Sequence, residues 1–142
     1  MKRIIGLLTL LFTLCLFWPV MASAADKLPA GFIAVSEFEM NWNDAKAFCK
    51  QKGGRLPRIN GKDSLARADV GKNTHIDGFG ALGVLWPSGI PQAVYWTDTV
   101  DFDGPGGPFF VSVFFDGPGP GPLVTLSAGD DQRSPYRVAC VR

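Results

Sequence analysis

The side chains that could do chemistry are few and scattered. His75 is the only histidine, and Asp77 stands two positions after it. A nucleophilic site would also need a serine or cysteine held beside that histidine, and no spacing in the chain selects one. Asp101-Phe102-Asp103-Gly104 opens like a calcium loop. An EF-hand loop also requires a third oxygen ligand and a glutamate at its twelfth position. That position is Ser112, so the match fails and Asp101, Asp103 and Asp116 read as turn carboxylates. No glycine-rich phosphate loop precedes a helix, and no histidine–cysteine spacing fits zinc. The residues therefore read as a protein that is not an enzyme, with no metal and no cofactor.

Recognition chemistry remains. Trp86 and Phe79 fall in a Gly/Pro-rich stretch, residues 71–92. A loop aromatic can stack on a sugar or anchor a partner; it can equally plug the core beneath the loop. The first option makes Trp86, Asp101, Asp103 and Asp116 the candidate ligand site. It expects Trp86→Ala to weaken binding and spare the fold. A rival surface is the basic run Arg55, Arg58, Lys62, Arg67 and Lys72. Such a run could receive sulfated or acidic glycans through charge-assisted hydrogen bonds, or it could be a solvated charged face.

The elements that must position these groups begin after an export signal. Lys2 and Arg3 precede an apolar run, residues 4–20, and Ala22-Ser23-Ala24 follows. A positive start, an apolar stretch and a small-x-small site are the parts of a cleaved secretory signal. The expected cut leaves a domain over 25–142, and the run sits at the short limit for a bilayer anchor. Stable membrane insertion is not expected after cleavage. Without Lys2 and Arg3 the 14 basic residues become 12 against 13 acidic ones, a net charge of −1. General nucleic-acid binding needs a basic excess and is not expected. Of the three cysteines, Cys15 leaves with the signal. An even pair in an exported chain, Cys49 and Cys140, most simply forms a disulfide, with two buried free thiols as the alternative.

A strand is expected within 28–38. Asn41 then caps a helix through Lys52, with Asp44 near its positive end. Trp42, Ala45 and Cys49 share one stripe, Phe48 lies beside it, and Gly53 ends the helix with positive φ. A second short helix is expected over 64–70. Residues 71–92 read as one long structured loop, since glycines and prolines break every period. Four aromatic and β-branched runs follow as strands, at 93–97, 108–115, 123–126 and 136–141. Both faces of 108–115 carry large apolar side chains, so that strand should be covered on both sides. The two Asp-Gly-Pro-Gly stretches, at 103–106 and 116–119, read as tight turns. This order predicts an α+β domain, with Cys49 on the helix and Cys140 on the last strand.

These residues together resemble the C-type-lectin-like fold. The pattern is a helix carrying Trp-x-x-Ala-x-x-x-Cys, a Gly-Gly-x-Leu link, a second helix, a Tyr-Trp-Thr strand and a terminal Cys-Val. Here it reads Trp42, Ala45 and Cys49, then Gly53-Gly54-Arg55-Leu56, Tyr95-Trp96-Thr97 and Cys140-Val141. The chain is similar in particular to the bacterial branch found at the C-terminus of collagen-like adhesins. The matching parts are Arg55-Leu56-Pro57, Tyr95-Trp96-Thr97-Asp98 and Arg137-Val138-Ala139-Cys140-Val141-Arg142, and the likeness covers about residues 31–142. It implies two short helices packed on a small antiparallel sheet with long Gly/Pro-rich loops, and the long Cys49–Cys140 bridge. The carboxylate–proline triplets of calcium-dependent sugar binders are missing, as are the two inner cysteines. Trp42-Asn43-Asp44 spells a lectin triplet but sits on the first helix. Calcium-dependent sugar binding therefore does not carry over. The resemblance implies an exported adhesin-like module, periplasmic or extracellular, that binds a glycan, sulfated in some relatives, or a surface protein. The alternative is an accessory or structural subunit of an envelope or surface assembly.

Overall fold

Asn41 starts the helix as its residue type predicts. Its side-chain oxygen accepts the Asp44 backbone N–H at 2.9 Å, and α1 runs Trp42–Gln51. At the other end Gly53 takes φ 79°, a conformation that costs a side chain strain. Gly54 is needed for a different reason. A Cβ there would run into the carbonyl of Val141 and the Ile33 side chain. The Gly-Gly pair therefore ends the helix and lets the chain pass directly against the terminal strand.

The computed structural model describes residues 27–71, 73–103, 107–115, 121–127 and 131–142. The expected export signal, Lys72 and Asp116 lie outside the described residues. The elements in order are β1 (Phe32–Val35), α1, β2 (Ser64–Leu65), a single 3-10 turn (Arg67–Asp69), β3 (His75–Ile76), β4 (Gly80–Ala81), β5 (Tyr95–Asp101), β6 (Pro108–Phe115), β7 (Pro122–Ser127) and β8 (Ala139–Val141). The chain is an α+β fold, with three sheets among the described residues. β1 pairs with β8, β2-β5-β6-β7 form the largest sheet, and β3 pairs with β4. Most pairs are antiparallel, but β2 joins β5 in parallel, with Ser64 opposite Val100 and Leu65 opposite Asp101.

That parallel pair corrects the expected second helix over 64–70. Ser64 and Leu65 join the sheet edge, and Leu65 is buried. Ala66 and Val70 are both extended, leaving only Arg67–Asp69 to coil. One turn cannot repay helix nucleation, whereas sheet bonds and the burial of Leu65 are available at once. The loop over 71–92 is more regular than expected. It contains the β3–β4 hairpin, and residues 83–86 lie along β7 with Leu85 opposite Leu123.

Successive side chains on a strand face opposite ways, and β5 uses this to build two cores. Tyr95 joins Phe32, Phe79, Trp86, Phe109 and Val111 on one side. Trp96 joins Trp42, Cys49, Leu56, Val138 and Cys140 on the other, with Phe110 packed against them. The sheet is thus covered on both faces at Phe109–Val111, as the sequence predicted for this strand. The two indoles lock the helix start to the sheet: Trp42 Nε1 donates to Thr97 O at 2.8 Å, and Trp96 Nε1 donates to Met40 O at 2.7 Å. Cys49 and Cys140 form the disulfide, with their Cα atoms 5.3 Å apart. It staples α1 to β8.

Candidate functional site

Trp86, the aromatic of the candidate ligand site, lies in the core, as the alternative reading of a loop aromatic expects. Its ring is 7 % exposed and tilts against Phe79 and Tyr95, with centroids 5.2 and 5.9 Å away. Its indole N–H is satisfied internally by Ile90 O at 2.8 Å. The indole thus spends its area and its one donor inside the fold. The long loop buries Trp86 because the space between β5 and the β3–β4 hairpin needs a large apolar filler.

The carboxylates separate in the same way. Asp101 is fully buried on β5. Arg67 places Nε at 3.1 Å and Nη2 at 2.7 Å from one Asp101 oxygen, and the other oxygen accepts the Asp103 backbone N–H at 3.2 Å. Asp101 is therefore an internal anchor for the turn after β5, not a surface ligand. Asp103 stays exposed beside it. The structure brings Asp101 and Asp103 together, while Trp86 packs in the core with Phe79 and Tyr95.

The rival basic surface is largely neutralised by its own neighbours. Arg55 pairs with Asp77 at 2.7 Å, Arg58 with Asp63 at 2.8 Å and with Asp98 at 3.4 Å, and Arg67 with Asp101. Among the described residues of the run, only Lys62 lacks a carboxylate within salt-bridge distance. Asp77 also accepts the Arg58 backbone N–H at 3.0 Å, so this carboxylate is committed to the link after α1 rather than to His75. The hydroxyls of Thr97 and Thr99 are likewise spent. Thr97 Oγ1 donates to Phe109 O at 2.8 Å, and Thr99 Oγ1 donates to Lys62 O at 2.6 Å.

What stands outward was not singled out from sequence. Leu85 is 55 % exposed and Val84 is 40 % exposed, on the segment beside β7. That segment is held by three backbone bonds: Gly83 N to Val124 O, Val124 N to Val84 O, and Trp86 N to Pro122 O. The buried Trp86 ring pins the same strip from below. Leu85 lies next to Gly121 and Val84 next to Gly80, where neither glycine has a side chain to cover it. Flanking glycines at 80, 83 and 121 were the available sequence signal, because they leave neighbouring side chains uncovered.

A second outward feature lies between β1 and α1. It is an open groove of about 400 Å³ lined by apolar residues of β1, Met40, Phe48 and Lys52, with Glu37 and Phe38 at one end. Phe38 is 76 % exposed. Comparison with family models, with curated proteins and with solved structures returned no match.

Proposed function

We propose that the chain is an exported, non-catalytic and calcium-independent binding module of C-type-lectin-like fold, and that its ligand is a protein of the cell surface or envelope. The fold reading rests on the paired terminal strands, the Gly53-Gly54 link and the bridge from α1 to β8. The observation that carries the function is the strip over residues 83–86. Binding residues are commonly displayed on loops held by a rigid frame. Here Val84 and Leu85 stand out from a strip bonded to β7 and anchored by Trp86. Aliphatic side chains lack the flat ring face by which aromatics stack on a ligand, so exposed Val84 and Leu85 suit an apolar protein contact better than a sugar. The internal pairing of Arg55, Arg58 and Arg67 removes the main support for an acidic glycan.

The test places a photo-reactive phenylalanine analogue at Leu85 in the producing cell. The reading expects a discrete adduct with one surface or envelope protein, lost on adding Val84→Asp. The same probe at Lys50, exposed on α1, should give none. Glycan-array binding that persists in Leu85→Asp, with an unchanged melting temperature, would overturn the reading.

A further inference from the structure

The groove beside β1 belongs to neither the loop strip nor the ion-pair network. Among the described residues, β1 has one sheet neighbour, β8. Ser36 N–H goes to Val138 O, and Ala34 and Val35 sit opposite Cys140 and Ala139. Hydrogen-bonded and non-hydrogen-bonded pairs alternate along an antiparallel ladder. The amide and carbonyl of Val35 therefore point away from β8, toward an edge that no strand among the described residues covers. An unpaired edge beside apolar side chains is a template for another strand.

The two ends of the groove carry opposite charge. The C-terminal end of α1, with Lys52, lies at the Ile33 end of β1, since Gly54 abuts the Ile33 side chain. Lys52 Nζ sits 5.5 Å from the Phe48 ring centroid, over the groove wall. Glu37 and the exposed Phe38 lie at the other end, where Met40 bridges Tyr136. A strand that runs antiparallel to β1 and presents a carboxylate at one end and an apolar ring beside it would match this groove. β1 of a second copy is such a strand.

We infer that the groove is the interface of a two-fold homodimer in which β1 of one copy adds antiparallel to β1 of the other. In a two-fold interface each contact occurs twice. Glu37 of each copy meets Lys52 of the other, and Phe38 of each enters the apolar lining of the other. The two short β1–β8 sheets become one four-stranded sheet, with both copies of α1 on one face. This pairing is independent of the loop strip, so either can stand without the other.

Sedimentation velocity on the protein purified from its producing cell is the test. A concentration-dependent dimer is expected, and Phe38→Ser weakens it. Glu37→Lys alone and Lys52→Glu alone each raise the dimer dissociation constant about tenfold or more, because like charges are then opposed twice. Glu37→Lys with Lys52→Glu in one chain restores it. Mixing the two single variants yields a heterodimer, since each facing pair is again Lys opposite Glu. Circular dichroism melts on each variant separate these effects from misfolding. A wild-type chain that stays monomeric at about 100 μM would overturn the inference, as would a dimer insensitive to both charge changes.

Discussion

Arg67 and Asp101 are 34 positions apart in sequence, yet the guanidinium lies 2.7 Å from a carboxylate that solvent does not reach. The contact joins the 3-10 turn to the end of β5. It also takes one residue from each of the two binding surfaces that the sequence offered, so each surface uses the other for its own stability.

Removing Arg67 leaves the Asp101 carboxylate buried, held by the Asp103 N–H. Arg67→Ala is expected to destabilise the fold by about 1–3 kcal/mol, the usual cost of an orphaned buried polar group. Arg67 is itself 56 % exposed, so water entering the vacated space places the effect toward the lower end. Urea unfolding checks this. Combining Arg67→Ala with Asp101→Asn should cost less than the sum of the single changes, because each disrupts the same contact.

Trp86→Ala should cost about 3–5 kcal/mol, the range for truncating a large buried aromatic. The ring contacts to Phe79 and Tyr95 and the bond to Ile90 O all go at once. Leu85→Ala, one position away but exposed, should leave the melt nearly unchanged. Thermal melts of the two variants in one buffer test the contrast, which reverses if Trp86 serves a ligand rather than the core.

The adjacent glycines after α1 should respond unequally to alanine. Gly53→Ala meets no neighbour and carries only the strain of positive φ, about 1–2 kcal/mol. Gly54→Ala drives a methyl group into the Val141 carbonyl, and β8 is fixed there by the disulfide. The larger loss is therefore expected at Gly54, read as the drop in urea midpoint.

The Cys49–Cys140 bridge closes a loop of 91 positions. Chain-entropy arithmetic gives its loss as about 4–5 kcal/mol. Both cysteines are buried, so alkylation of the native protein should find no free thiol. Reduction should require prior unfolding or strong reductant. A melt unchanged by replacing both cysteines with alanine would contradict this.

Burial raises the Tyr95 phenol above its ordinary value, and the Arg137 charge opposes that shift only in part. The hydroxyl donates to Pro91 O at 2.8 Å, a bond that phenolate would lose. Because the folded-state value lies above the unfolded one, the stability it contributes is complete below about pH 10. That stability is lost as the pH climbs through the folded value. Tyr95→Phe should flatten the alkaline fall in stability. The difference in phenolate absorbance between wild type and Tyr95→Phe should rise above pH 10 rather than at it.

Local chemistry made several parts legible in the sequence alone. Asn41 is a cap wherever a helix follows it, and Asp44 supplies the amide it binds. Gly53 marks the helix end because few other residues take its φ. The alternation of Phe109, Phe110 and Val111 announced a strand with two covered faces, and the cysteine pair announced the staple. The site was not legible in the same way. Trp86 and Leu85 are neighbours in one loop, and nothing in their types says which is buried; the packing of Phe79 and Tyr95 around the indole decides it. Arg67 and Asp101 looked like free surface charges until β2 joined β5 and brought them together. Capping and turn geometry are set by residues within a few positions. Burial and ion pairing are set by whatever the chain brings back from 34 or 91 positions away, and only the tertiary structure fixes that.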